Sequence, residues 1–144
     1  MRIAIGSDHA GFRLKEQVVE HLREKGIEVE DEGTRNEEST DYPGYAHAVA
    51  DAVTSNKADI GIVICGSGNG VNITANKHHG IRSALAWNTE VAQLARQHNN
   101  ANVLALPARY LAAAEALAIT DAFLAASFEG GRHQRRVAEI EHID

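Results

Sequence analysis

The single cysteine of this chain, Cys65, stands directly before Gly66-Ser67-Gly68-Asn69-Gly70 and directly after the apolar run Ile60-Gly61-Ile62-Val63-Ile64. A strand that empties into a glycine-rich turn and then a helix can aim several backbone N–H groups at one anion. A plain strand-to-helix turn needs one or two glycines, whereas this one has three, Gly66, Gly68 and Gly70. Nucleotide-binding versions of the loop do not fit. Val71 occupies the place of the dinucleotide fingerprint's third glycine, and Phe12 and Arg13 follow Gly11 where a Walker loop needs lysine.

A cysteine ending an apolar strand is most often a small core residue. Beside these glycines, however, the N–H groups and the helix N-terminus favour its thiolate. Such a thiolate can take a proton from a carbon next to a carbonyl while the N–H groups hold the enediolate oxygen that develops. Acyl transfer would use the same parts, so the pair leaves both reactions open.

Asp8-His9 adds a carboxylate and an imidazole, although Asp is also a routine helix cap. His98 shares a helical stripe with Val91, Leu94 and Ala95, a core-like setting, but Asn99 and Asn100 follow it and make a better helix end than a core. Arg132 and Arg136 are spaced i, i+4, so a helix puts both guanidinium groups on one face, suited either to a phosphate dianion or to plain solvation. His78 and His79 are adjacent and no spacing gathers three metal ligands, so neither a metal nor a cofactor is expected.

The elements that must position these groups follow from the apolar pattern. Strands are predicted at 2–6, 27–33, 60–64, 81–87 and 103–106, and helices around Leu14, Val18 and Leu22 and over 42–57, 69–77, 89–98 and 111–126. The polar stretch 34–41 reads as loop. Unalternating apolar strands between helices imply a parallel sheet covered on both faces. The expected fold is therefore α/β, a Rossmann-like three-layer α/β/α sandwich with a five-stranded parallel sheet of order 2-1-3-4-5. Ligands then bind beyond the carboxyl ends of strands one and three, where Ser7 to Gly11 and Cys65 to Gly70 leave the sheet. The helix before strand five runs back toward the amino ends, so His98 falls on the far side of its own sheet. A catalytic His98 must therefore come from a second subunit.

At 144 residues the chain is expected to form one domain, 1–144, with the basic segment 130–144 at its end. A net charge of −6 argues against nucleic acid or an anionic membrane as partner. No run is apolar enough to cross a bilayer. The start shows no signal-peptide zones and the lone thiol suits a reducing compartment, which predicts the cytoplasm.

Six ordered blocks carry a resemblance: Gly-Ser-Asp-His-Ala-Gly at 6–11, Asp-Tyr-Pro at 41–43, Cys-Gly-Ser-Gly-Asn-Gly at 65–70, Ala-Asn-Lys at 75–77, Arg-Gln-His-Asn-Asn at 96–100 and Gly-Gly-Arg-His-Gln-Arg-Arg at 130–136. Their spacing is similar, nearly end to end, to type B ribose-5-phosphate isomerase. The resemblance implies a cofactor-independent aldose–ketose isomerase of the non-oxidative pentose phosphate branch, interconverting ribose 5-phosphate and ribulose 5-phosphate through a cis-enediol. It also implies a homodimer with shared active sites, or a dimer of such dimers.

Carried over by position, Cys65 is the base and His98 the acid that opens the furanose. The backbone of Gly66, Ser67, Gly68, Asn69 and Gly70 forms the anion hole, and Asp8, His9 and Asn99 touch the sugar. Arg109, Arg132 and Arg136 take the phosphate. Some members use a glutamate after the glycine loop as base; Val71 stands there, leaving the cysteine variant. Relatives acting on allose 6-phosphate or galactose 6-phosphate share the scaffold. The galactose enzymes divide their functional residues between two different subunits, whereas this chain carries the full set, which favours the pentose. A non-catalytic sugar-phosphate binder and a thiol hydrolase are the competing classes.

Overall fold

The computed structural model describes residues 1–141; residues 142–144 of the expected phosphate-binding segment 130–144 lie outside them. Five strands, β1 (Arg2–Ser7), β2 (Glu28–Asp31), β3 (Ile60–Cys65), β4 (Ser83–Leu85) and β5 (Val103–Pro107), form one parallel sheet of order β2-β1-β3-β5-β4. Between and after them lie the helices α1 (Phe12–Glu24), α2 (Tyr42–Thr54), α3 (Asn69–Ala75), α4 (Thr89–Asn99), α5 (Ala113–Ala125) and α6 (Arg132–Ile140). None is long and apolar enough to cross a membrane.

The α/β class, the three layers and the five parallel strands match the expectation, but the last two strands exchange places. Burial explains the exchange. β5 is buried at all five positions, Val103 to Pro107, and takes the interior place beside β3. β4 has three half-buried residues, fit for the edge, where one flank meets solvent.

Right-handed crossovers then distribute the helices. Ile3, Ile5, Ile62, Ile64, Leu104 and Leu106 face α1, α4 and α5, and the largest fully buried aromatic, Phe123, plugs that layer. The opposite face presents small residues, Ala4, Val63, Cys65 and Ala105, to α2 and α3. Gly61 lets α2 sit close, because a Cβ there would stand 2.6 Å from Val49. The order of strand addition switches sides between the parallel neighbours β1 and β3, and their register, Ser7 opposite Ile64, brings the two following turns together at the carboxyl end of the sheet.

Candidate active site

Cys65 closes β3 on the α2/α3 face, 5% exposed, with the glycine loop rising from it. Among the described residues, the N–H groups of Gly66, Ser67 and Gly68 find no acceptor, while Asn69 N–H donates to Ser67 Oγ at 3.2 Å. Gly68 turns the chain into α3 at φ +76°, and a Cβ there would meet Leu85 at 2.5 Å. A side chain at Gly70 would strike the Tyr42 ring, also at 2.5 Å, so this ring covers the loop. Gly68 is thus required by its left-handed backbone and by its packing on Leu85, and Gly70 by its close contact with the Tyr42 ring.

The turn after β1 abuts this loop. Asp8 is buried and its Oδ1 accepts from Gly11 N–H at 3.1 Å, so the capping role is real and one carboxylate oxygen is engaged. His9 Nδ1 accepts from Thr40 N–H at 3.1 Å in the tautomer that carries its proton on Nε2. Thr40 Oγ1 lies 2.9 Å from the Tyr45 hydroxyl. Hydrogen bonding to Thr34 first, and to Thr40, holds that phenol below its ordinary range.

A third turn, after β5, brings Arg109. Its N–H donates to the Gly66 carbonyl at 3.0 Å, and its guanidinium stands 3.0 Å from where a side chain at Gly66 would begin. One chain thus gathers Asp8, His9, the 65–70 loop and Arg109 at the carboxyl end of its sheet.

The remaining candidates lie at the other end. α4 runs back from β4, so His98 and Asn99 sit beside the start of β5; Val103 pairs with Gly61, whereas Cys65 pairs with Pro107. The helix turns a different face inward from the stripe read in the sequence. Ala92 and Ala95 are buried, Leu94 is exposed, and His98 is half-buried because its neighbours on that flank are polar.

α6 packs on α4 as a helix, with His133 and Val137 inward and Arg132 and Arg136 outward. His98 and His133 stack, ring centroids 4.2 Å apart and planes 14° from parallel. Glu129 Oε1 lies 3.3 Å from His98 Nε2. Burial, with the charges of His98 and Arg132, holds the His133 imidazole below its ordinary value; Glu129 opposes this. A cavity of about 420 Å³ at this end is lined by Lys77, His78, Arg82 and Asn99 and does not reach Cys65.

Tyr42, Thr40 and Glu129 were not singled out in the sequence, and His133 stood there only within the basic Gly-Gly-Arg-His-Gln-Arg-Arg block. Tyr42 lay within the Asp41-Tyr42-Pro43 block, and a bulky ring there against an obligate glycine could have been suspected. Glu129 gave no local signal, and nothing local tied His133 to His98, because only the docking of the last helix on α4 brings them together.

The family model described as Ribose/Galactose Isomerase matches residues 3–140. The chain is 51% identical over 143 residues to the ribose-5-phosphate isomerase B of Escherichia coli K12, spanning 99% of this chain and 96% of that protein. Among solved structures, a ribose 5-phosphate isomerase from Thermotoga maritima superposes with a TM-score of 0.97 at 54% identity, covering 99% of this chain and 98% of that one. The ribose-5-phosphate isomerase B of Mycoplasma genitalium, solved with bound ribulose-5-phosphate, gives 0.94 at 48% identity, covering 97% and 93%. With a glycine-loop cysteine on this scaffold and a family match running almost its whole length, the chain belongs to the ribose/galactose isomerase family.

Proposed function

We propose that this chain interconverts ribose 5-phosphate and ribulose 5-phosphate as a cytoplasmic homodimer, each site completed by the partner's α4 and α6. The observation that carries the reading is the juxtaposition of Cys65 with unengaged loop N–H groups and the Arg109 side chain. Identity near one half to relatives named for this reaction, one of them holding ribulose-5-phosphate, supports the pentose over a six-carbon sugar.

In this mechanism His98 protonates the ring oxygen as the bond from C1 to that oxygen breaks, and the C1 hydroxyl gives its proton to solvent as it becomes the aldehyde. The Cys65 thiolate then takes the C2 proton, and the electron pair moves into the C1–C2 bond as the aldehyde oxygen becomes an enediolate. N–H groups of the 66–70 loop stabilise that oxygen better than they do the ground-state carbonyl. The thiol returns its proton to C1 while the O2 proton passes to O1, leaving the C2 ketone. Asp8, His9 and Asn99 fix the hydroxyls, and Arg109, Arg132 and Arg136 take the phosphate. No step requires a cofactor.

The division of these groups between opposite ends of the sheet supports the dimer. Ile73 on α3 and Trp87 after β4 are more than half exposed, 59% and 58%, apolar surface of the kind a partner covers.

A coupled assay comparing ribose 5-phosphate with allose 6-phosphate tests the reading, together with Cys65→Ala. Turnover of the pentose should dominate and should vanish in the variant while ribose 5-phosphate binding persists. Wild-type protein that binds the sugar phosphate without converting it would make this a binding protein.

A further inference from the structure

We propose that His98, Glu129 and His133 form an inhibitory site for a divalent transition ion of zinc's type. Two imidazoles and one carboxylate are a donor set that zinc takes with a fourth position left open. One ligand atom from each residue lies within 4.8 Å of the others. Glu129 Oε1 stands 3.3 Å from His98 Nε2 and 3.8 Å from His133 Nε2. A tetrahedral ion with bonds of 2.0–2.1 Å spaces its donors roughly 3.3 Å apart. The separations therefore need small adjustments and no refolding.

The frame that holds the donors is already built. Glu129 N–H donates to the Gln97 carbonyl at 3.0 Å, tying the segment before α6 to the residue next to His98. His133 N–H donates to Gly130 at 3.0 Å, and the parallel stack points both Nε2 atoms toward one carboxylate oxygen. His98 and Glu129 are open enough for an ion to enter, while His133 is the buried anchor. Arg132 and Arg136 on the same helix oppose a cation, which makes the site reversible and not structural.

The other histidine pair lacks these features. His47 Nδ1 and His78 Nε2 are 2.6 Å apart, hydrogen-bonded to each other and too close to share one tetrahedral ion.

An ion on His98 Nε2 occupies the lone pair that would carry the acid proton; this consequence rests on the role proposed for His98, whereas binding itself does not. The probes are Zn²⁺ by calorimetry and Co²⁺ by visible absorption on chelator-treated protein. One ion per chain is expected, with intense tetrahedral Co²⁺ bands and no thiolate charge-transfer band. Glu129→Gln and His133→Gln should each weaken Zn²⁺ binding roughly a hundredfold. His47→Gln and Cys65→Ser should leave it unchanged, and in the two site variants zinc inhibition should vanish relative to their own metal-free rates. Binding that survives in both site variants, or that disappears in Cys65→Ser, overturns the proposal, as does an octahedral Co²⁺ spectrum on the wild-type protein. Should zinc bind as expected to protein that does not isomerise ribose 5-phosphate, the metal site stands and the isomerase reading falls.

Discussion

Cys65 and His98 lie at opposite ends of the sheet and on opposite faces of it, the first beside Pro107 at the carboxyl end, the second on α4 leading into β5. In a symmetric dimer with exchanged helices, each site would take its sulfur from one chain and its imidazole from the other. Cys65→Ala and His98→Asn homodimers should both be inactive. Unfolded together and refolded as an equal mixture, they should recover about a quarter of wild-type activity, because half the dimers are mixed and each mixed dimer has one intact site. A mixture as inactive as its parents would place both groups in one chain's site.

How far this division could be read in advance differs from residue to residue. The apolar period located the five strands and the helices α1 to α5 but not α6, and the direction of α4 follows from parallel strands alone, so the place of His98 was legible. The place of Arg109 over Gly66 was not, because it depends on a short turn after β5 that no apolar period marks. The exchange of β4 and β5 was half legible: Val103 to Pro107 is uninterrupted and apolar, as an interior strand must be, but a crossover that skips one strand leaves no mark on the sequence. The pairing of His133 with His98 was not legible because the contact is tertiary, a ring laid on His98 by helix packing.

Arg82 caps the end of α4 that carries His98 and Asn99. Its Nε donates to the carbonyls of Asn99 at 3.1 Å and Asn100 at 3.0 Å, its Nη2 to Asn100 at 2.9 Å, and its Nη1 to Glu141 at 2.8 Å. Arg82→Gln should cost about 1.5–3 kcal/mol in urea unfolding, the scale of hydrogen bonds to a charged group. Because the freed helix end carries His98, kcat should fall about ten- to a hundredfold, more than KM changes. A variant that loses stability yet keeps the wild-type kcat would make Arg82 a structural cap alone.

Asp121 on α5 receives His21 at 2.9 Å and Lys25 at 2.8 Å from α1. Burial pushes its carboxyl up, but the hydrogen bonds from Lys25 and His21 outweigh that and hold it below its ordinary value. A depressed folded value means that the native state holds the charged form more strongly than the unfolded chain does. The contribution is then complete above the unfolded carboxylate range and is lost as pH falls through the folded value. Both Asp121 and Lys25 are more than a third exposed, so solvent screening keeps the pair below about 1 kcal/mol. The stability difference between wild type and Asp121→Asn should be small at neutral pH and close in acid. A gap that widens on acidification would contradict the sign.

Lys15 is the one charged side chain of α1 that is wholly enclosed, its Nζ 2.7 Å from Asp31 Oδ2 and 2.9 Å from Glu16 Oε1. The other Asp31 oxygen accepts from Gly33 N–H at 2.8 Å, so the pair also anchors the chain as it leaves β2. Removing one partner strands the other, and the two directions are unequal here. Asp31→Ala leaves the enclosed ammonium to the half-exposed Glu16 carboxylate alone and should cost about 3 kcal/mol, the low end for breaking a buried pair. Lys15→Met leaves a carboxylate that is partly exposed and still holds Gly33, so it should cost less. The double variant Lys15→Met/Asp31→Ala should be more stable than Asp31→Ala alone, because the poorly compensated buried charge goes with the lysine. A double-mutant cycle in urea measures the coupling. Strict additivity of the two single losses would mean that the ammonium finds water in solution and that the pair contributes little to the fold.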